Sequence, residues 1–146
     1  MEQSAFQHAR EGNTDALKEL ILGGFSVNSK DQKGNSLLMI ASYKGQVQTV
    51  KMLIYYGADV NATNSKVLSI LSGAAFKGYL EICKILVQNG AVITPSFFKS
   101  PLFFAAMFGQ KNVVKYLLDI KNQGGAFLYK GFANLIFALK PKKQKS

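Results

Sequence analysis

The chain has 146 residues, one domain's worth, and its 48% hydrophobic and 18% charged residues exclude a disordered polypeptide. Eighteen Lys and Arg against eight Asp and Glu give a formal net charge of +10, and the single cysteine, Cys83, excludes an intramolecular disulfide. No stretch reaches the roughly 20 consecutive apolar residues of a membrane helix. Met1-Glu2-Gln3-Ser4-Ala5 lacks the basic start and apolar run of a secretory signal, so a reducing, cytoplasmic setting is expected.

In chain order, Ala9-Arg10-Glu11-Gly12-Asn13 closes a first helix, and Leu17, Leu20 and Ile21 mark the buried face of a second. Ser36 offers an N-cap oxygen to a short helix through Tyr43, which Gly45 terminates. Val47, Val50, Leu53 and Ile54 then carry the i, i+3, i+4 spacing of the next helix, stopped at Gly57. The pattern returns 33 residues later: Ala41-Ser42-Tyr43-Lys44-Gly45 as Ala74-Ala75-Phe76-Lys77-Gly78, and Tyr56-Gly57-Ala58 as Asn89-Gly90-Ala91. Gly12 lies 33 before Gly45, and Ala105-Ala106-Met107-Phe108-Gly109 follows Ala74 to Gly78 at an offset of 31. Two residues are therefore missing around Pro95, in a loop, where length changes cost least. A period of this length means one supersecondary unit stacked on copies of itself. The outer-helix face recurs as Cys83, Leu86, Val87 and as Val114, Leu117, Leu118. Cys83 thus occupies a Leu or Val position and reads as a core residue, not a reactive thiol.

These residues resemble the ankyrin repeat. The family's T-P-L-H-x-A-A-x-x-G corresponds to Ser36 through Gly45, Ser69 through Gly78 and Ser100 through Gly109, and its G-A-D-V-N-A is intact from Gly57 to Ala62. The resemblance implies an all-α, ankyrin-repeat solenoid of stacked helix-turn-helix units joined by short hairpin-like loops. A single domain over 1–139 is expected, with units at about 2–31, 32–64, 65–94 and 95–125, a degenerate C-terminal cap at 126–139 and a disordered basic tail at 140–146. Departures are specific. Met39, Ser72 and Phe103 replace the motif His, and Val67 stands where unit two has the turn glycine Gly34. Weaker coupling is expected between units three and four, where the loop is short and degenerate.

Catalysis finds no footing. His8 is the lone histidine, at a cap-helix position, and five of the eight carboxylates precede residue 32. No zinc ligand set, nucleophile with a base beside it, or Gly-rich phosphate loop is present, so no enzyme, metal or cofactor is expected. The resemblance implies a concave face built from first helices and hairpin tips. Arg10, Tyr43, Phe76 and Met107 then form one row, and Glu11, Lys44, Lys77 and Phe108 the next, with Lys33, Lys66 and Lys99 at the tips. The expected binding residues are Arg10, Lys33, Tyr43, Lys44, Lys66, Phe76, Lys77, Met107 and Phe108, with Tyr43 and Phe76 as anchors.

The function this implies is a non-catalytic protein-protein interaction module, a monomer by itself, that acts on an acidic protein partner as a stoichiometric inhibitor or adaptor. One version is a bacterial immunity or antitoxin protein. Residues 95–146 carry nine Lys and one Asp, which leaves nucleic-acid or anionic-membrane association through the basic C-terminal half as a weaker alternative. A third alternative is assembly through exposed Phe97, Phe98, Phe103 and Phe104.

Overall fold

The computed structural model describes residues 1–93 and 96–124. The cap expected over 126–139 and the basic tail at 140–146 lie outside them. Eight helices form among the described residues: α1 (Glu2–Glu11), α2 (Thr14–Leu22), α3 (Leu37–Tyr43), α4 (Val47–Tyr55), α5 (Ile70–Lys77), α6 (Leu80–Gln88), α7 (Pro101–Met107) and α8 (Lys111–Gly124). They pair as four hairpins. The odd-numbered helices stack as an inner row, α1 on α3 on α5 on α7, and the even-numbered ones as an outer row. The architecture is an all-α solenoid.

Local chemistry fixes each helix end. Ser36, Ser69 and Ser100 accept the backbone N–H of Met39, Ser72 and Phe103, each at 3.1 Å, so each inner helix after the first starts on the same cap. Loss of such a cap costs about 1 kcal/mol. Pro101 adds a fixed φ at the first turn of α7. At the other end the chain reverses through a left-handed glycine, Gly45 at φ 75° and Gly78 at φ 76°, and a residue of the next unit reaches back over it. Gln46 lies over the equivalent Gly12 and donates to Arg10 O (3.0 Å), the Tyr79 ring covers Gly45, and Gln110 lies over Gly78 and donates to Phe76 O (2.9 Å).

Burial follows the repeat. Leu37, Leu38, Ile70, Leu71 and Leu102 of the inner row, and Leu17, Val50, Leu53, Cys83, Leu86 and Leu117 of the outer row, are 0–2% exposed. Cys83 is fully buried, and desolvation pushes its thiol up to about 12. Successive units are also clamped by asparagine. Asn28 donates to Gly57 O and accepts from Asp59 N, and Asn61 does the same with Gly90 O and Val92 N, 33 residues on.

The hairpin tips repeat one design on two different residues. Asp31 Oδ1 accepts from Lys33 N and Asn35 N, and Asn64 Oδ1 accepts from Lys66 N and Leu68 N. The following turn position is Gly34 at φ 75° and Val67 at φ 58°. A β-branched residue in the left-handed region is strained, and Val67 holds it because the flanking hydrogen bonds dictate the turn. The family His has a partial substitute as well: Ser72 Oγ donates to Lys99 O at 2.8 Å, joining unit three to unit four.

Candidate functional site

The inner-helix side carries an open groove of about 1340 Å³ between α1, the first two hairpin tips, α3 and the start of α5. Met39 and Ile40 of α3 contribute its apolar floor, Gln3, Gln7 and Arg10 of α1 one wall, and Asp31, Lys33, Asn35 and Asn64 of the tips the other. A second hollow of about 210 Å³ continues from it across Tyr43 and Gly73 to Phe76 and Phe104.

Of the residues expected to bind, Arg10, Lys33, Tyr43 and Lys44 line the larger groove, and Tyr43 and Phe76 line the smaller hollow. Tyr43 and Phe76 stack with centroids 6.1 Å apart and planes 4° from parallel, and Phe76 meets Phe108 edge to face at 4.4 Å. The Lys77 ammonium sits 5.2 Å from the Tyr43 ring centroid. The two expected rows therefore cross: Phe76 meets Tyr43 of its own row on one side and Phe108 of the next row on the other. Edge-to-face and offset arrangements of this kind favour the pairing by about 1 kcal/mol beyond burial. Met107 is exposed at the end of α7 and Lys66 at the second tip, and neither lines either hollow.

The rings are presented, not buried. Tyr43 is 41% exposed, Phe108 55%, and Phe76 half-buried between them. Arg10, Lys33, Lys44, Lys66 and Lys77 make no ion pair among the described residues. The Asp31 carboxylate is engaged in its own turn. The ion pair Lys51–Glu81, at 3.7 Å, lies on the outer helices instead. The groove thus sets Arg10, Lys33 and Lys44 beside an aromatic run, with Glu2 the carboxylate at its α1 end, and can hold apolar side chains and carboxylates.

Sequence reasoning missed the floor and the hollow. Ile40, Gly73 and Phe104 share one column of the repeat, at offsets of 33 and 31, and the glycine in that column is the signal that a gap opens there. Elsewhere, Phe97 (43% exposed) and Phe98 (71%) pack edge to face at 4.9 Å beside Phe103, away from both hollows. His8 lies 3.4 Å from the Asn13 amide, and its carbonyl accepts Asn13 N, a local role at the end of α1. No group of three or more His, Cys, Asp or Glu side chains able to hold a metal forms among the described residues. No described helix is long and apolar enough to cross a membrane.

Comparison with known proteins agrees with this architecture. An ankyrin repeat protein of Pseudomonas aeruginosa is 44% identical to the chain over 50 residues, a match covering 31% of this chain and 29% of that protein. A family model for ankyrin repeats in three copies matches residues 5–97. With most of the chain inside that match, and with glycines, caps and stacked hairpins at the repeat's period, the protein belongs to the ankyrin repeat family.

Proposed function

We propose that this protein is a non-catalytic binding module that holds an acidic protein partner in its concave groove and acts stoichiometrically, as an inhibitor or adaptor. Ankyrin repeats mediate protein-protein interaction, and the family is typically non-catalytic. The observation that carries the reading is the stacked run Tyr43–Phe76–Phe108, open to solvent at both ends and flanked by cations that make no ion pair among the described residues. Aromatic side chains held rigid at a groove centre are the residues whose truncation most weakens a complex, by about 2 kcal/mol or more. Arg10, Lys33, Lys44, Lys66 and Lys77 steer an acidic surface toward them, and Met107 extends the apolar strip at its far end.

Affinity capture from the host, followed by calorimetry on the recovered partner, tests the reading. Tyr43→Ala/Phe76→Ala weakens that complex at least 30-fold with the helical signal unchanged. Full binding by the double variant would overturn the groove as the site. Steeply salt-dependent binding of duplex DNA or anionic vesicles, unaffected by the double variant, would move the activity to the basic C-terminal half.

A further inference from the structure

Gly73 is a glycine that the fold does not require. It lies within α5 and lacks the positive φ that marks the turn glycines. A Cβ built on it would meet only the Tyr43 ring, with Cδ2 at 3.6 Å, which is ordinary contact. A glycine inside a helix is destabilising relative to alanine, so the position gives up stability without a backbone or packing reason. The same column holds Ile40 in unit two and Phe104 in unit four. What the missing side chain leaves is the hollow of about 210 Å³, walled by Tyr43, Leu68, Phe76 and Phe104.

We infer that this notch receives one phenyl-sized side chain of the docked partner, with carboxylates beside it on Lys44 and Lys77. The inference rests on the groove reading above and narrows it to an acidic segment carrying a single aromatic knob. Size supports it, since an apolar cavity of about 150 Å³ suffices for benzene. Chemistry supports it too. Two wall residues carry hydroxyls: that of Ser72 is already committed, donating to Lys99 O and accepting from Ser69, and that of Tyr43 is at the para position of its ring. The rest of the wall is apolar side chain, from Leu68, Phe76 and Phe104, with no charged group in it. The charges stand beside it instead: Lys77 lies against the Tyr43 ring and Lys44 follows Tyr43 in the chain, neither in an ion pair among the described residues.

The test is a titration of ¹⁵N-labelled full-length protein with a capped pentapeptide, phenylalanine between two glutamates on each side, read by amide chemical shifts. The Gly73, Tyr43 and Lys77 amides shift saturably. Replacing the phenylalanine by alanine, or the glutamates by lysines, raises Kd at least 10-fold. Gly73→Leu, which fills the notch, also raises it at least 10-fold, and Gly73→Ala, whose Cβ has room, raises it several-fold while the melting temperature holds or rises. Equal binding of the alanine-centred peptide, or of the phenylalanine peptide by Gly73→Leu, would overturn the notch and leave the groove standing. No shift at these amides with any peptide would overturn it as well. So would displacement of the peptide by a second copy of the chain, by the chain's own residues 125–146, or by phosphatidylserine vesicles. The groove itself is judged separately, by the captured partner and Tyr43→Ala/Phe76→Ala.

Discussion

Units two and three are the same object built twice, and their differences separate what the fold demands from what it tolerates. Both start their inner helix on a serine cap and both end it through a left-handed glycine. Both bury an aliphatic pair there, Leu37 and Leu38 in one, Ile70 and Leu71 in the other. Yet Gly34 becomes Val67, Ile40 becomes Gly73, Ser42 faces Ala75 in register, and Val50 becomes Cys83. Buried positions of the stack exchange only small or similar residues, Ser42 for Ala75 and Val50 for Cys83, whereas positions facing the groove or the tips change size and backbone freedom, Ile40 for Gly73 and Gly34 for Val67. The stacking interface therefore carries the stability, and the inner-helix groove and the tips are where the units differ most.

Substitutions that exchange residues between the two units, or delete a shared one, sharpen that contrast. The largest effect belongs to the shared interior: Leu86→Ala, the counterpart of Leu53, leaves a cavity in a site with no exposure and costs about 3 kcal/mol in urea unfolding. An equal loss on removing an exposed residue such as Tyr55 would contradict the division. Next, Val67→Gly restores the residue of unit two at a positive φ and gains about 1 kcal/mol, seen as a higher melting temperature. An unchanged or lower value would mean that Val67 is not strained.

Ser42→Ala copies Ala75. The Ser42 hydroxyl is buried with no hydrogen-bond partner among the described residues, so its removal also stabilises, by about 1 kcal/mol. Smallest at neutral pH is Cys83→Val, which copies Val50 and changes stability by less than about 1 kcal/mol. Its signature is alkaline. The thiol's folded pKa is raised from 9.0 to about 12 by burial, so the folded chain keeps a proton that the unfolded chain releases. The stability this contributes is complete below pH 9 and is lost as pH rises from 9 toward 12. Denaturation midpoints of wild type therefore fall more steeply than those of the variant across that window, and parallel curves would refute the assignment. In the folded protein the same thiol stays unreactive toward a disulfide reagent at pH 8.

Much of the fold was legible because repetition multiplies weak signals. One Gly45 is a single turn residue, but Gly12, Gly45, Gly78 and Gly109 at the repeat's spacing define the hairpin boundaries. The outer face was readable from Leu53, Leu86 and Leu117 for the same reason. The groove was only half legible. Tyr43, Phe76 and Lys77 could be placed beside one another from their register, but the crossing of Phe76 to Phe108 could not. That contact depends on how α7 sits against α5, and spacing along the chain does not encode it. The notch escaped for a related reason: a glycine in a helix reads as a local weakness until the side chains of the neighbouring units are seen around it. The serine that takes over from the family His was likewise visible only as a loss, until Lys99 O was found within its reach.

Hydrogen exchange on the complex with the captured partner tests the central claim most directly. Binding slows exchange at the C-terminal ends of α1, α3 and α5 and at the tips around Lys33 and Lys66, while α2, α4 and α6 exchange as in the free protein. Protection confined to those outer helices would contradict the account.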